Sequence, residues 1–323
     1  MNVRRMTALL TAAMTIAAAQ GALAANVTAL KGPTAMGLVK MMEENQEPDS
    51  TFSFEIAPSA DVVTPALAKG DVDIAAVPAN LAAVLYQNTQ GAVQVLAVNT
   101  LGVLYIVETG EAVSSVEDLK GKTIYASGKG ATPQYALDYI LRGNGLDPET
   151  DVQIEWKSEH AECLAALLAE DEAIAMLPQP FVTTAQMKDD RIRTALDLNA
   201  EWDKLQAGEE EPSGLITGVA VVRTQFAEEH PEEVEQFLEE YRASVDYVQS
   251  DVDGAAALIG QFDIVPEPVA KAALPFCNIT LIEGNEMKEK LSGYLGVLCE
   301  QNPDAVGGAL PEDDFYYGAD SAS

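Results

Sequence analysis

Two short stretches, LKGPTAMG at residues 30–37 and GKGATPQY at residues 128–135, set a lysine beside glycine after an apolar run and ahead of a helical pattern. A turn of that kind offers backbone N–H groups to an anion. Glycine lets the chain come close, the first N–H groups of a helix have no internal partner, and its amino end carries a partial positive charge. In a chain with 19 basic residues against 51 acidic ones, Lys31 and Lys129 in equivalent turns stand out. Each reads either as a charge offered to a ligand or as a solvated side chain. His160, one of two histidines, sits at another turn and reads equally as a ligand contact or a structural cap. Glu159 and Asp61 would instead serve an amine-bearing ligand.

Other chemistry is missing from the sequence. There is no nucleophile elbow, HExxH pair, Walker loop or dinucleotide fingerprint, and GKG at residues 128–130 lacks the Lys-Ser/Thr pair of a phosphate loop. The three cysteines, Cys163, Cys277 and Cys299, have neither zinc nor CxxC spacing, so no metal or cofactor is expected. Outside the cytoplasm Cys277 and Cys299 could pair or stay free. Cys163, Trp156 and the methionines read as core.

The elements that must position the turns appear twice. ALAKGDVDIAAVP at residues 66–78 and ALLAEDEAIAMLP at residues 166–178 share six of thirteen positions, and each runs from helix end through an acidic turn and a short apolar strand to a proline. Strand, turn and helix follow one another at residues 27–41, 52–69 and 74–86, with Ser59 as the cap of the second helix. Such units imply parallel pairing with right-handed crossovers, which bring the turns to one sheet edge, where open α/β sheets bind ligands. A second series follows at residues 123–141, 152–168 and 174–196. Its turns are residues 127–133, 157–160 and Pro178-Gln179-Pro180. Residues 100–108 and 215–222 are too apolar for loops and read as crossings between the two series. Beyond them the chain turns helical, with a start signal at His230-Pro231-Glu232-Glu233 and an apolar stripe from Val234 to Val248. The tail from Pro311 is acidic and aromatic, and its end is expected to lack order.

The 323 residues, 48% hydrophobic, are enough for two modest cores. Residues 1–24 differ from the rest: Arg4 and Arg5, an apolar run over residues 6–19, then Ala22-Leu23-Ala24 describe a secretory signal peptide cut after Ala24. That run is too short to span a bilayer, and no cysteine for a lipid anchor stands at the cleavage site. The formal charge of −32 excludes affinity for nucleic acid or anionic membrane surfaces.

LKGPTAMG, SADVVTPALAKGDVDIAAVPANLA, TLGVLYIVE, GKGATPQYALDYIL and MLPQPFVTTA together resemble the substrate-binding proteins of ABC importers, in the group that includes sulfonate, taurine, nitrate and thiamine-precursor binders. The resemblance runs over residues 27–303. It implies an α/β fold of the type II periplasmic-binding-protein kind: two α/β lobes joined by two crossing strands, with a ligand cleft between them. The division implied is a signal peptide at 1–24, a first lobe at 25–106, a second at 107–214 and a return to the first at 215–323. Gly32, Pro33, Thr34, Ser59, Pro78 and Asn80 would face the cleft from one lobe, and Gly128, Lys129, Gly130, Thr132, His160 and Gln179 from the other. The function implied is binding of a small solute, anionic or zwitterionic by the helix ends and lysines, and its delivery to ABC permease subunits by a monomeric protein outside the cytoplasm. An enzyme of pyrimidine or menaquinone-type metabolism on the same fold, using His160 with a carboxylate, is the alternative. The CCCFC motif of the eukaryotic pyrimidine synthases of this superfamily is absent. A solute sensor docking on a receptor is a third reading.

Overall fold

The computed structural model describes residues 24–209 and 212–320; the expected signal peptide, apart from Ala24, and the last three residues lie outside the described residues. In chain order come β1 (Ala25–Leu30), α1 (Pro33–Met36), α2 (Val39–Glu44), β2 (Phe52–Ala57), α3 (Ala60–Lys69), β3 (Ile74–Pro78), α4 (Ala79–Thr89), β4 (Val93–Leu101) and β5 (Leu104–Glu108). Next are β6 (Thr123–Ser127), α5 (Thr132–Gly143), β7 (Gln153–Lys157), α6 (His160–Ala169), β8 (Ile174–Pro178), α7 (Phe181–Lys188), β9 (Arg193–Asp197) and α8 (Leu198–Gln206). The chain closes with β10 (Ile216–Arg223), α9 (Thr224–Glu229), α10 (Pro231–Ser250), α11 (Val252–Gln261), α12 (Glu267–Ala273), β11 (Ile279–Ile282) and α13 (Gly284–Gln301).

These strands form two sheets, ordered β11-β4-β10-β3-β1-β2 and β7-β6-β8-β5-β9. In the first, β1 lies parallel between β2 and β3, and β10 runs antiparallel between β3 and β4. In the second, β6 lies parallel between β7 and β8, and β5 runs antiparallel between β8 and β9. The repeated sequence therefore occupies the same place twice: β3 and β8 each sit between a parallel strand and an inserted antiparallel one, and each ends on its proline. Pro78 pairs with Gly218 and Pro178 with Leu104. The chain passes from one sheet to the other at Gly102 and Val103, so β5 spans the expected boundary between residues 106 and 107. It returns ahead of β10. A lobe below means one sheet with its helices.

Three apolar cores hold this together. One covers the outer face of the first sheet under α1, α2 and α10 to α12 (Met36, Phe52, Phe237, Tyr241), and one covers the corresponding face of the second under α6 and α7 (Tyr105, Cys163, Leu167, Val182). The third is shared: it runs without a break from Leu67, Tyr86 and Val95 of the first lobe through Tyr135, Ile140 and Trp202 of the second to Tyr294, Leu298 and Phe315.

Several local expectations change. The strand β11 and the helices α8 and α9 have no clear periodicity in the sequence, being short and packed by distant partners. The tail is packed over 311–320, where Phe315 is buried, Tyr316 bridges to Val95, and Asn285 bonds Asp320 at both its side-chain nitrogen and oxygen, while the end expected to lack order falls on residues outside those described. All three cysteines are free. Cys277 is buried in the core under α10 to α12 while Cys299 packs against the shared core, and sequence spacing could not show that the first sheet lies between them. Ser59 places no side-chain hydrogen bond on α3 and is exposed, so it does not cap by its hydroxyl.

Candidate functional site

The parallel strands β1, β2 and β3 end at Leu30, Ala57 and Pro78, and β6, β7 and β8 at Ser127, Lys157 and Pro178, so each sheet puts three turns at the carboxyl ends of its strands, and the turns after β3 and β6 touch where Asn80 bonds Thr132. Each leads into a helix. None of the helices α3 to α7 carries a side-chain cap. The same holds for α10 and α13 elsewhere, so this leaves donors available without marking the site. Gly32, Gly128 and Gly130 take positive φ values of 135°, 82° and 78°, a region that L side chains enter only at a cost.

The expected residues separate once placed. Gly32 and Thr34 are buried at the first turn, and Thr34 Oγ1 is occupied by a hydrogen bond to the Leu30 carbonyl at 3.0 Å. Lys31 points outward and pairs with exposed Asp263 at 3.2 Å. Lys129 is exposed and lines an open groove of about 550 Å³ with Gln134, Asp138, Arg142 and Trp156, which belongs to the second lobe alone. The lysines thus occupy matching turns but are surface side chains. Asn80 and Thr132, from opposite lobes, are buried and bonded to each other at 3.2 Å.

Deeper in the second lobe, His160 opens α6. Its Nδ1 meets the hydroxyl of buried Ser127 at 2.5 Å, and its ring lies 5.3 Å from that of Phe181. Desolvation pushes its pKa down to about 4, so the imidazole is neutral at ordinary pH. Its hydrogen-bond partner is the Ser127 hydroxyl, not a carboxylate. Its Nε2 has no hydrogen-bond partner among the described residues. Buried Gln179 is similar: its Oε1 accepts from Thr183 Oγ1 at 2.9 Å and Thr183 N at 3.3 Å, while its Nε2 stays unpartnered. Ser127 is the residue that sequence reading missed. Its signal was position, as the last residue of a strand entering a glycine turn.

Charge completes the geometry. Among the described residues only two carboxylates are buried, Asp73 and Glu108. Asp73 precedes β3 and pairs with Arg223, and Glu108 ends β5 and pairs with Arg193. Both pairs lie at the sheet edges opposite the six turns.

A family profile described as ABC transporter, phosphonate, periplasmic substrate-binding protein matches residues 36–258. The chain belongs to this family. It is accordingly a substrate-binding component of ABC import systems, a family of binding proteins rather than enzymes. No curated protein gives a significant match. Among solved structures, an ABC transporter protein from Parabacteroides distasonis is similar with a TM-score of 0.77 at 22% identity, covering 91% of this chain and 98% of that one. The periplasmic aliphatic sulphonate-binding protein SsuA from Escherichia coli follows with a TM-score of 0.72 at 17% identity, covering 93% and 94%. The periplasmic nitrate-binding protein NrtA from Synechocystis PCC 6803 reaches 0.57 at 12% identity, covering 76% and 68%. At these identities the likeness is one of fold, and it agrees with the two-lobed α/β expectation. Among the described residues no helix is long and apolar enough to cross a membrane.

Proposed function

We propose that this ABC substrate-binding protein is exported by its amino-terminal signal peptide, binds a small anionic or zwitterionic organic solute between its lobes as a monomer, and hands it to membrane permease subunits. The observation that carries the solute class is the distribution of buried charge. In a chain of formal charge −32, no carboxylate among the described side chains at the six turns is buried, whereas free Nε2 atoms of Gln179 and neutral His160 stand there. Neutral donors and helix N-termini in a closed, low-dielectric cleft hold an anion without help from the solvated surface, whose charges salt screens beyond about 10 Å. The family and the fold neighbours point the same way, since phosphonate, sulphonate and nitrate are all oxyanions.

The contacts proposed are the backbone of Gly32, Pro33 and Thr34 with Ser59 and Pro78 from the first lobe, and Gly128, Gly130, Ser127, His160 and Gln179 from the second. Lys31 and Lys129 are assigned to the surface. Solute touching both lobes favours the closed form, and the closed form is what a permease recognises. Native mass spectrometry of protein purified without refolding would show a carried ligand. Calorimetry with methylphosphonate, ethanesulfonate, taurine and nitrate, against a cationic aminopyrimidine, tests the class. Binding of an oxyanion, weakened about tenfold or more in Gln179→Ala and in His160→Ala, is expected. Binding of the aminopyrimidine alone would overturn the proposal.

A further inference from the structure

The two faces of the cleft are built differently. On one, α5 of the second lobe packs against α13 of the first through the shared core and touches α4 at the Thr132–Asn80 bond, with Tyr135, Leu137 and Ile140 on one side and Tyr294, Leu295 and Leu298 on the other. Buried in that seam is a polar chain. Asn80 Oδ1 accepts from Thr132 Oγ1 at 3.2 Å, Tyr294 OH reaches Thr132 Oγ1 at 3.1 Å, and Asn80 Nδ2 donates to the Ala305 carbonyl at 3.4 Å. Gln301 and Asn302 add bonds to the Tyr135 carbonyl and hydroxyl at 3.3 and 3.4 Å. On the other face the lobes keep separate cores. There α7 meets α12, and the hydrogen bond that crosses among the described residues runs from Tyr105 OH to the Phe276 carbonyl at 3.3 Å. The lips of that face carry exposed side chains, Met187 at 57% and Phe276 at 54%.

We infer that Asn80, Thr132 and Tyr294 are positioning residues that joint the lobes along the α4–α5–α13 seam, so that the cleft opens by a twist that parts α7 from α12. Opening at the seam would expose a continuous apolar core and strand the buried amide and hydroxyls without partners, whereas opening at the lips parts the α7–α12 contact and one half-buried bond between cores that are already separate. Asn80 and Thr132 then set the distance between the lobes instead of touching solute. This rests on the reading of the cleft as the solute site, but its test uses no solute, so the two can fail separately.

The test places spin labels in pairs on the full mature chain, with half-buried Cys299 replaced by serine. One pair, at Met187 and Phe276, spans the lips; the other, at exposed Arg142 on α5 and Glu300 on α13, spans the seam. In protein stripped of solute by unfolding and refolding, the lip pair is expected to give a broad distance distribution reaching long values and the seam pair a single narrow one. Equal widths, or a broader seam, would overturn the inference. Tyr294→Phe, which removes one bond and no volume, and Thr132→Val are expected to broaden the seam pair while circular dichroism stays native. If both folded variants keep the seam as narrow as the parent, the polar chain is not the joint.

Discussion

The two lobes repeat one strand order but spend their residues differently. Each inserts an antiparallel strand beside a proline-ended one, and each clamps it at the edge away from the cleft with a buried carboxylate and an arginine: Asp73 with Arg223, Glu108 with Arg193. The environments differ. Glu108 is 2% exposed in its side chain and accepts from the backbone of Ala112 and Val113, while Asp73 is 13% exposed and accepts from Asn26 N. At the ends of the paired strands, the first lobe's Pro78 turn bonds Asn80 to Thr132 of the other lobe, whereas the second lobe's Pro178 turn keeps Gln179 with a free Nε2. Duplication supplies equivalent positions. Both side chains are buried, and what differs is their partners: both polar atoms of Asn80 are bonded, while Gln179 keeps a free Nε2.

The clamps offer the largest test of that difference. Arg193→Met leaves the nearly inaccessible Glu108 carboxyl without its arginine, and urea unfolding should show a loss of about 3 to 5 kcal/mol. Arg223→Met should cost less, because Asp73 keeps more water. An equal or reversed order would mean that burial does not distinguish the clamps.

The next effect belongs to His160 alone, since no histidine stands at the first lobe's turns after β1, β2 and β3. Its folded pKa lies below its unfolded value, so the unfolded chain takes up the proton first. The contribution is intact above about pH 6.5 and is lost as pH falls toward 4, by up to about 3 kcal/mol. His160→Phe should flatten the stability profile by about one proton across that window. An unchanged slope would place the imidazole in water.

A smaller effect separates the inserted strands. Opposite Pro78 stands Gly218, where a Cβ would come within 2.5 Å of Thr34 Cγ2 and 2.7 Å of Asn99 Oδ1; opposite Pro178 stands Leu104, buried with its full side chain. Gly218→Ala should therefore cost about 1 to 3 kcal/mol in thermal or urea unfolding. The smallest contrast is between the paired lysines. Lys31→Ala removes one exposed ion pair and Lys129→Ala none, so both should stay within about 0.5 kcal/mol of the parent in stability. A large loss of oxyanion affinity in either would return that lysine to the cleft.

Much of the fold was legible because it is written locally. The proline-ended strands, the glycine turns and the start of α10 at Pro231 follow from spacing and from the backbone limits of glycine and proline, which act within a few residues. The matching copies at Ile74–Pro78 and Ile174–Pro178 fall 100 residues apart in the structure as in the sequence. Tertiary structure alone decided partners. Lys31 meets an aspartate 232 positions on, Asn80 meets Thr132 across the lobes, and Arg223 reaches back 150 positions to Asp73. Turn chemistry shows that a side chain sits at an edge. Whether it is then free for a solute or consumed by a neighbour depends on which distant segment is packed there, because a buried polar atom takes whatever partner the fold brings within reach.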